Sequence, residues 1–265
     1  MTMEMILGPR LCLVATQVPE GALLGDIGTD HAYLPIYLWE KGIIRHAVAV
    51  DVHEGPYLSA RSAVASRHLE QAIEVRFGDG LRPVQPGEVD TLTLAGMGGN
   101  TMLEIFVARP EVMAQVQTLV LQPQGSEGKV RLRLLQEGWR LRREQLVEEE
   151  DRIYVVMNYS REEGFTYQEL QARVVGWFER LGKIGQFSQT ISELINKLIW
   201  DFGPLVFEQP GPELRILLDE QIQSIARVTQ EMQKSNQIKV QERIQYFELT
   251  GTVLEEMKKC LFPSA

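Results

Sequence analysis

Cysteine is almost missing from this chain: among 265 residues only Cys12 and Cys260 carry a thiol, at opposite ends. Neither has a second cysteine or a histidine at ligand spacing, so no zinc or other metal site is expected and a reducing cytoplasm is the expected compartment. No uninterrupted apolar run reaches 18 residues, so no membrane span is expected either. The start, "MTMEMILGPRLCLVATQVPEG", puts an acid early and Arg10 inside its apolar part, the reverse of a secretory signal. Positive charge is also in deficit, with 27 Lys and Arg against 36 Asp and Glu and a net charge of -9. Nucleic-acid binders are usually basic because displaced counterions drive their affinity, so charge alone argues against RNA. One stretch departs from this balance. Residues 129–143, "KVRLRLLQEGWRLRR", carry six Lys and Arg before "EEED" reverses the sign. By itself that stretch reads as a solvated amphipathic helix followed by a strand edge.

What the chain does have is a regular alternation. Short apolar or β-branched runs occur at Ala22–Ile27, Ala47–Val52, Ile73–Phe77, Thr91–Ala95, Thr118–Gln122, Trp139–Glu148 and Arg152–Tyr159. Segments with helical periodicity, such as Tyr57–Ser66 and Asn100–Ala108, separate the first five, which implies a parallel sheet with right-handed crossovers. The last two runs are joined by the acidic turn and read as an antiparallel hairpin at one sheet edge. The expected fold is therefore α/β over residues 1–160, with a seven-stranded, mostly parallel sheet. Residues 161–265 read as a separate helical domain. Val174, Val175, Phe178, Leu181, Ile191, Leu194, Ile195 and Leu198 recur on one face up to about Asp201. "FGPLVFEQPGP" then interrupts with three prolines and two glycines. Leu218, Ile225 and Met232 are seven apart, as are Phe247, Leu254 and Leu261, with the polar "KSNQ" between the two series. Two such narrow seams predict an α-helical hairpin of coiled-coil type.

In open α/β sheets, ligands bind beyond the carboxyl ends of the strands. Each of the first five strands ends in glycine, aspartate or an amide: Asp26-Ile27-Gly28-Thr29-Asp30-His31, Asp51, Gly78-Asp79-Gly80, Gly96-Met97-Gly98-Gly99-Asn100, and Gln122-Pro123. Glycines let backbone approach a ligand closely. An acid at Asp51, ending the second strand, can accept hydrogen bonds from both hydroxyls of a ribose. Asp79 can accept from an adenine amino group, and Asp26 can meet an ammonium. A pyrophosphate dinucleotide fits poorly, because the full GxGxxG is missing and Asp30 would repel phosphate at a helix N-terminus. A nucleoside bearing an amino acid and a positive sulfur, S-adenosylmethionine, fits better. Each aspartate alone could equally be a cap or turn residue.

These residues resemble the Rossmann-like class I methyltransferases, whose first strand is followed by Asp-x-Gly-x-Gly-x-Gly. Asp26 and Gly28 keep that pattern, while Asp30 and Ala32 replace its next two glycines. More narrowly, "DIGTDHAYLP", "EGPYLSA", "GDGL", "AGMGG" and "LQP", in this order over residues 10–160, resemble the bacterial tRNA (adenine-22-N1)-methyltransferase family. That family also ends in a helical coiled-coil domain. The resemblance implies that Asp26, Gly28, Asp51, Asp79 and Gly80 bind S-adenosylmethionine, with Gly96, Met97, Gly98 and Gly99 walling the pocket. It makes Asp30 the catalytic aspartate and tRNA the substrate. His31, Tyr33, Gln122 and Pro123 then face the substrate, and Lys129, Arg131 and Arg133 are its expected phosphate contacts. Gln124 stands where the family is expected to have asparagine.

The chemistry is consistent with that assignment. Methyl transfer from a sulfonium needs in-line positioning, and orientation supplies roughly 7–11 kcal/mol of such a barrier. Adenine N1 offers an in-plane lone pair, and its methylation puts positive charge on the base. A carboxylate nearby stabilises that charge and can accept a proton from the amino group. Two other readings share the fold: a methyltransferase acting on a small molecule or protein, which the acidic charge favours, and a non-catalytic cofactor-binding module whose coiled coil recruits a partner. The sequence leaves the oligomeric state open.

Overall fold

The structure, a computed structural model, describes residues 5–181, 189–233 and 238–263. The chain divides into two compact units, one running through Tyr167 and the other from Gln168. In the first, the elements are α1 (Pro9–Ala15), β1 (Ala22–Ile27), α2 (Tyr33–Glu40), β2 (Ile44–Asp51), α3 (Glu54–Ser66), β3 (Ile73–Phe77), β4 (Thr91–Met97), α4 (Gly99–Ala108), α5 (Pro110–Met113), β5 (Thr118–Pro123), α6 (Glu127–Gln136), β6 (Arg140–Glu149) and β7 (Arg152–Ser160).

The seven strands form one sheet in the order 3-2-1-4-5-7-6. The first five are parallel, and β7 pairs antiparallel with both β5 and β6. Strand order reverses between β1 and β4, the switch point where ligands bind in such sheets. The central strands are near-continuous apolar runs because helices cover both faces: all six residues of β5 are buried, and so are five of the six in β1. Val14 of α1, Leu34, Ile36 and Leu38 of α2 and Ala60 and Val64 of α3 pack in one cluster with Leu24, Ala47 and Ala49 of the sheet. Each fully buried Leu or Ile contributes about 1.5–3 kcal/mol relative to exposure.

Several strand ends differ from the sequence reading by one to three residues, and one helix is not read from it at all. β2 starts at Ile44, because Arg45 and His46 keep to the strand while avoiding full burial. β4 runs through Gly96 to Met97 with a register shift against β5, so the "AGMGG" stretch is mostly strand end and helix start. α1 was not anticipated from the sequence.

The second unit is helical, built mainly from α7 (Tyr167–Arg180), α8 (Gln189–Phe202), α9 (Pro212–Met232) and α10 (Ile238–Leu261). Val174, Leu181, Leu194, Ile195 and Leu198 are buried as expected, whereas Val175 is exposed; the side chain of Phe178 lies outside the described residues. α9 packs on α10 with Asp219 paired to Lys258 and Gln233 bonded to Glu248, an antiparallel arrangement. Leu218 and Leu254 are buried at the expected seam, and Ile225, Met232, Phe247 and Leu261 are half-buried. The "KSNQ" turn lies outside the described residues. Among the described residues, no helix is long and apolar enough to cross a membrane and no cluster of metal-ligating side chains occurs.

Candidate active site

The polar strand ends converge at the switch point. Asp26, the fifth residue of β1, is buried. Its Oδ2 accepts from the Thr29 hydroxyl at 2.6 Å and its Oδ1 from the Thr93 hydroxyl of β4 at 2.7 Å. Burial pushes its pKa up, the two hydroxyls oppose that shift, and the charge of Asp51 adds to it. Asp51 is buried at the end of β2. Each of its oxygens takes a backbone N–H, from Asp30 at 3.3 Å and from His53 at 2.8 Å. Two buried carboxylates thus face the same region.

The segment joining β1 to α2 is tightly wound. The amides of Gly28 and Thr29 donate to the Val50 carbonyl, and that of Ala32 to the Thr29 carbonyl. Gly28 has φ +80, and a Cβ there would lie 2.9 Å from Met97 Cε. Asp30 and Ala32 also adopt left-handed backbone, with φ of 48 and 54. For residues with a Cβ that conformation costs roughly 1–2 kcal/mol each, strain of the kind stored at functional sites. α2 is capped by Ala32 with no side-chain bond, so Asp30 is not its cap. The Asp30 side chain is instead 68% exposed, with His31 Nε2 at 3.6 Å. The His31 ring stacks on Tyr33 at 5.0 Å and 15°, and Tyr33 is exposed. A carboxylate and a flat aromatic pair therefore stand together at the rim.

The other expected residues fall into two groups. Gly80 (φ +56) and Asp79 lie at the end of β3, with Asp79 exposed and 3.2 Å from Arg82. Gly96 (φ +85) and Gly98 are exposed, while Gly99 is buried where a Cβ would come 2.7 Å from the Gly125 carbonyl. Met97 carries the carbonyl that accepts from Gln124 N–H. Gln122 is fully buried at the end of β5, its Nε2 donating to the carbonyl of buried Pro123. Lys129 is exposed and donates to Asn100 Oδ1 at 2.7 Å; Arg133 is exposed and paired with Glu137.

Arg131 requires correction. It is fully buried and paired with Glu144 of β6, so it is not placed to meet a phosphate. Helical geometry explains the difference: positions 129 and 133 share a face of α6, and 131 points to the opposite one. Sequence reasoning also missed Arg10, Thr29, Thr93 and Glu149. Arg10 Nη1 donates to Gln122 Oε1 at 2.8 Å, while its Nε and backbone N–H donate to Glu149. Thr93 was detectable as a hydroxyl inside the apolar run of β4, two residues after Thr91 at its start.

Residues 7–157 match the methyltransferase-domain family. A curated relative, the tRNA (adenine(22)-N(1))-methyltransferase of Bacillus subtilis (strain 168), is 38% identical over 154 residues, which is 58% of this chain. The match spans 65% of that relative's length, a little under two thirds. The solved tRNA methyltransferase of B. subtilis that forms 1-methyladenosine-22 is 26% identical, with a TM-score of 0.77 over 96% of this chain and 99% of that one. Streptococcus pneumoniae Sp1610, solved in complex with S-adenosyl-L-methionine, is 28% identical, with a TM-score of 0.69 over 95% and 99%. These relatives bear out the resemblance carried by "DHAYLP" and "AGMGG". With more than half of its length matched, the chain belongs to the methyltransferase-domain family.

Proposed function

We propose that this chain transfers the methyl group of S-adenosylmethionine to N1 of adenine 22 in tRNA, as a cytoplasmic enzyme. The observation that carries the reading is the pair of buried carboxylates, Asp26 and Asp51, at neighbouring strand ends. Burial makes the Asp26 charge costly and the nearby Asp51 adds to that cost, which a cationic ligand relieves. The residues fit this cofactor. Each Asp51 oxygen spends one lone pair on a backbone N–H and retains another for a ribose hydroxyl. Asp26 supplies the anion for an ammonium. Gly28 and Gly80 hold backbone that a side chain would strain, and Gly96 and Gly98 leave the wall open. Asp79 is exposed at the end where an adenine amino group would need an acceptor. When bound, the cofactor supplies an electrophilic methyl on a positive sulfur.

The chain's own residues do the rest. The His31–Tyr33 pair offers a stacking face for a base drawn out of its helix. Asp30, exposed beside that face, stabilises the positive charge that appears on the ring and can take the proton shed from the amino group. Its backbone N–H, held by Asp51, links the cofactor's seat to the catalytic carboxylate. Lys129 and Arg133, on one face of α6, are the proposed phosphate contacts. The identity to the B. subtilis enzyme supports tRNA over a small molecule or protein as substrate. Incubation with labelled S-adenosylmethionine and bulk bacterial tRNA, followed by mapping of 1-methyladenosine, tests the reading. Label at adenine 22 is expected; cofactor binding without label in tRNA would transfer the assignment to a small-molecule or protein substrate.

A further inference from the structure

Arg10 is a partly buried cation beside Gly96. It lies on α1, half-buried, with its side chain 21% exposed at the open face of Gly96. A Cβ on Gly96 would sit 3.7 Å from Arg10 Nη1 and 4.0 Å from Gln124 Nε2, so two nitrogen donors border that space. A guanidinium has five N–H donors. Here Nε is spent on Glu149 at 3.1 Å and one Nη1 hydrogen on Gln122 at 2.8 Å, which leaves three. The ring of Tyr154 packs against the guanidinium at 5.5 Å, and Glu149 balances its charge.

The surroundings narrow what those donors can meet. Glu149, which is bonded to Arg10, belongs to an acidic run from Glu148 to Asp151 that with Gly8 and Pro9 lines an open hollow of about 570 Å³. A phosphate there would face more negative charge than Arg10 offsets. A neutral acceptor fits better. Because Glu149 already neutralises the guanidinium, positive charge growing on a nearby base meets little opposition.

We propose that Arg10 is a substrate-recognition residue, donating to a neutral ring nitrogen of the purine being methylated, N7 or N3, as that base enters over Gly96. This rests on the proposed function, since it assumes that an adenine is the target. Gln122 and Glu149 fix the fork, and the remaining donors read the base edge. A pyrimidine, or a purine turned the other way, would leave those donors unsatisfied.

The test uses tRNA assembled with 7-deazaadenine or 3-deazaadenine at the target position, with the wild-type chain, Arg10→Gln and Glu149→Gln. Arg10→Gln is expected to lower kcat/KM for unmodified tRNA roughly tenfold or more while leaving S-adenosylmethionine affinity within about twofold. One deaza substitution should cost the wild type a similar factor and cost Arg10→Gln less than about twofold, because the lost contact is the same one. Glu149→Gln removes the ion pair but keeps the donors, and it should retain the deaza sensitivity. If both deaza penalties multiply independently with Arg10→Gln, or if Glu149→Gln abolishes the deaza sensitivity as Arg10→Gln does, Arg10 only ties the hairpin to the sheet and the proposal is overturned. Wild-type protein that never methylates adenine would instead defeat the proposed function, a distinguishable outcome.

Discussion

Substituting Asp51 by asparagine tests the cofactor site with little change of shape. The carboxylate now accepts from Asp30 N–H at 3.3 Å and His53 N–H at 2.8 Å. An asparagine can keep only one of these. Its oxygen will turn to the shorter bond with His53, and its NH2 will face the Asp30 amide, donor against donor. Hydrogen bonds to a charged acceptor are worth about 1.5–3 kcal/mol, so the β1–α2 segment loses about that much support, on top of the strain already held at Asp30 and Ala32. The same substitution removes one of the acceptors proposed for the ribose. At about 1.4 kcal/mol per tenfold, cofactor affinity should fall roughly 10- to 100-fold. Isothermal titration with S-adenosylmethionine and with its demethylated product reads the effect directly, and a thermal melt reports the loop. Affinity within threefold of wild type, in a variant that melts normally, would refute the assignment of Asp51.

Three further outcomes follow from named contacts. Gly99→Ala would drive a Cβ against the Gly125 carbonyl at 2.7 Å and Val130 Cγ2 at 2.8 Å, so urea unfolding should show a loss of about 1–3 kcal/mol; an unchanged midpoint would contradict the close approach of α4 to α6. Arg131→Met leaves buried Glu144 without its arginine and should cost about 3–5 kcal/mol by denaturant titration, while tRNA affinity of the folded protein stays unchanged. A tRNA-binding defect in that folded variant would restore Arg131 as a phosphate contact. The raised pKa of Asp26 means that it takes up a proton at higher pH than an ordinary aspartate, so the hold on a cationic ammonium proposed for it weakens as pH falls. Cofactor affinity should therefore rise with pH through the acid range, beginning above the ordinary aspartate value of 3.8, and Asp26→Asn should flatten the profile. A profile of the same slope in that variant would assign the dependence to another group.

The parallel sheet and its polar strand ends were legible because both signals are local. A buried parallel strand is a short apolar run, and here a glycine, an acid or an amide lies at its last residue or next to it. The five strand ends follow one another along the chain, so Asp26, Asp51 and the glycines at the ends of β3 and β4 could be placed without the fold in hand. Long-range pairing was harder to read. Arg131 belongs to a basic run that looks solvent-facing, and its partner Glu144 lies on an antiparallel strand across a turn. Arg10 sits in a seven-residue helix, too short for periodicity to stand out, and its partners Gln122 and Glu149 come from distant strands. The strand β4 continues through Gly96 because its neighbour β5 supplies the hydrogen bonds, although glycine locally suggests a break. Helical phase could have removed one error: residues two apart on α6 cannot share its outer face.

In the proposed mechanism Asp30 joins the cofactor segment to the chemistry, and its removal is the most direct test. Single-turnover methylation of a tRNA carrying adenine at position 22 should be compared for the wild-type chain and Asp30→Asn, both saturated with cofactor. The account predicts 1-methyladenosine at that position from the wild type. It predicts a rate for Asp30→Asn lower by roughly 10²- to 10⁴-fold, with cofactor affinity unchanged. Equal rates, or a methyl group on another atom of the base, would contradict it.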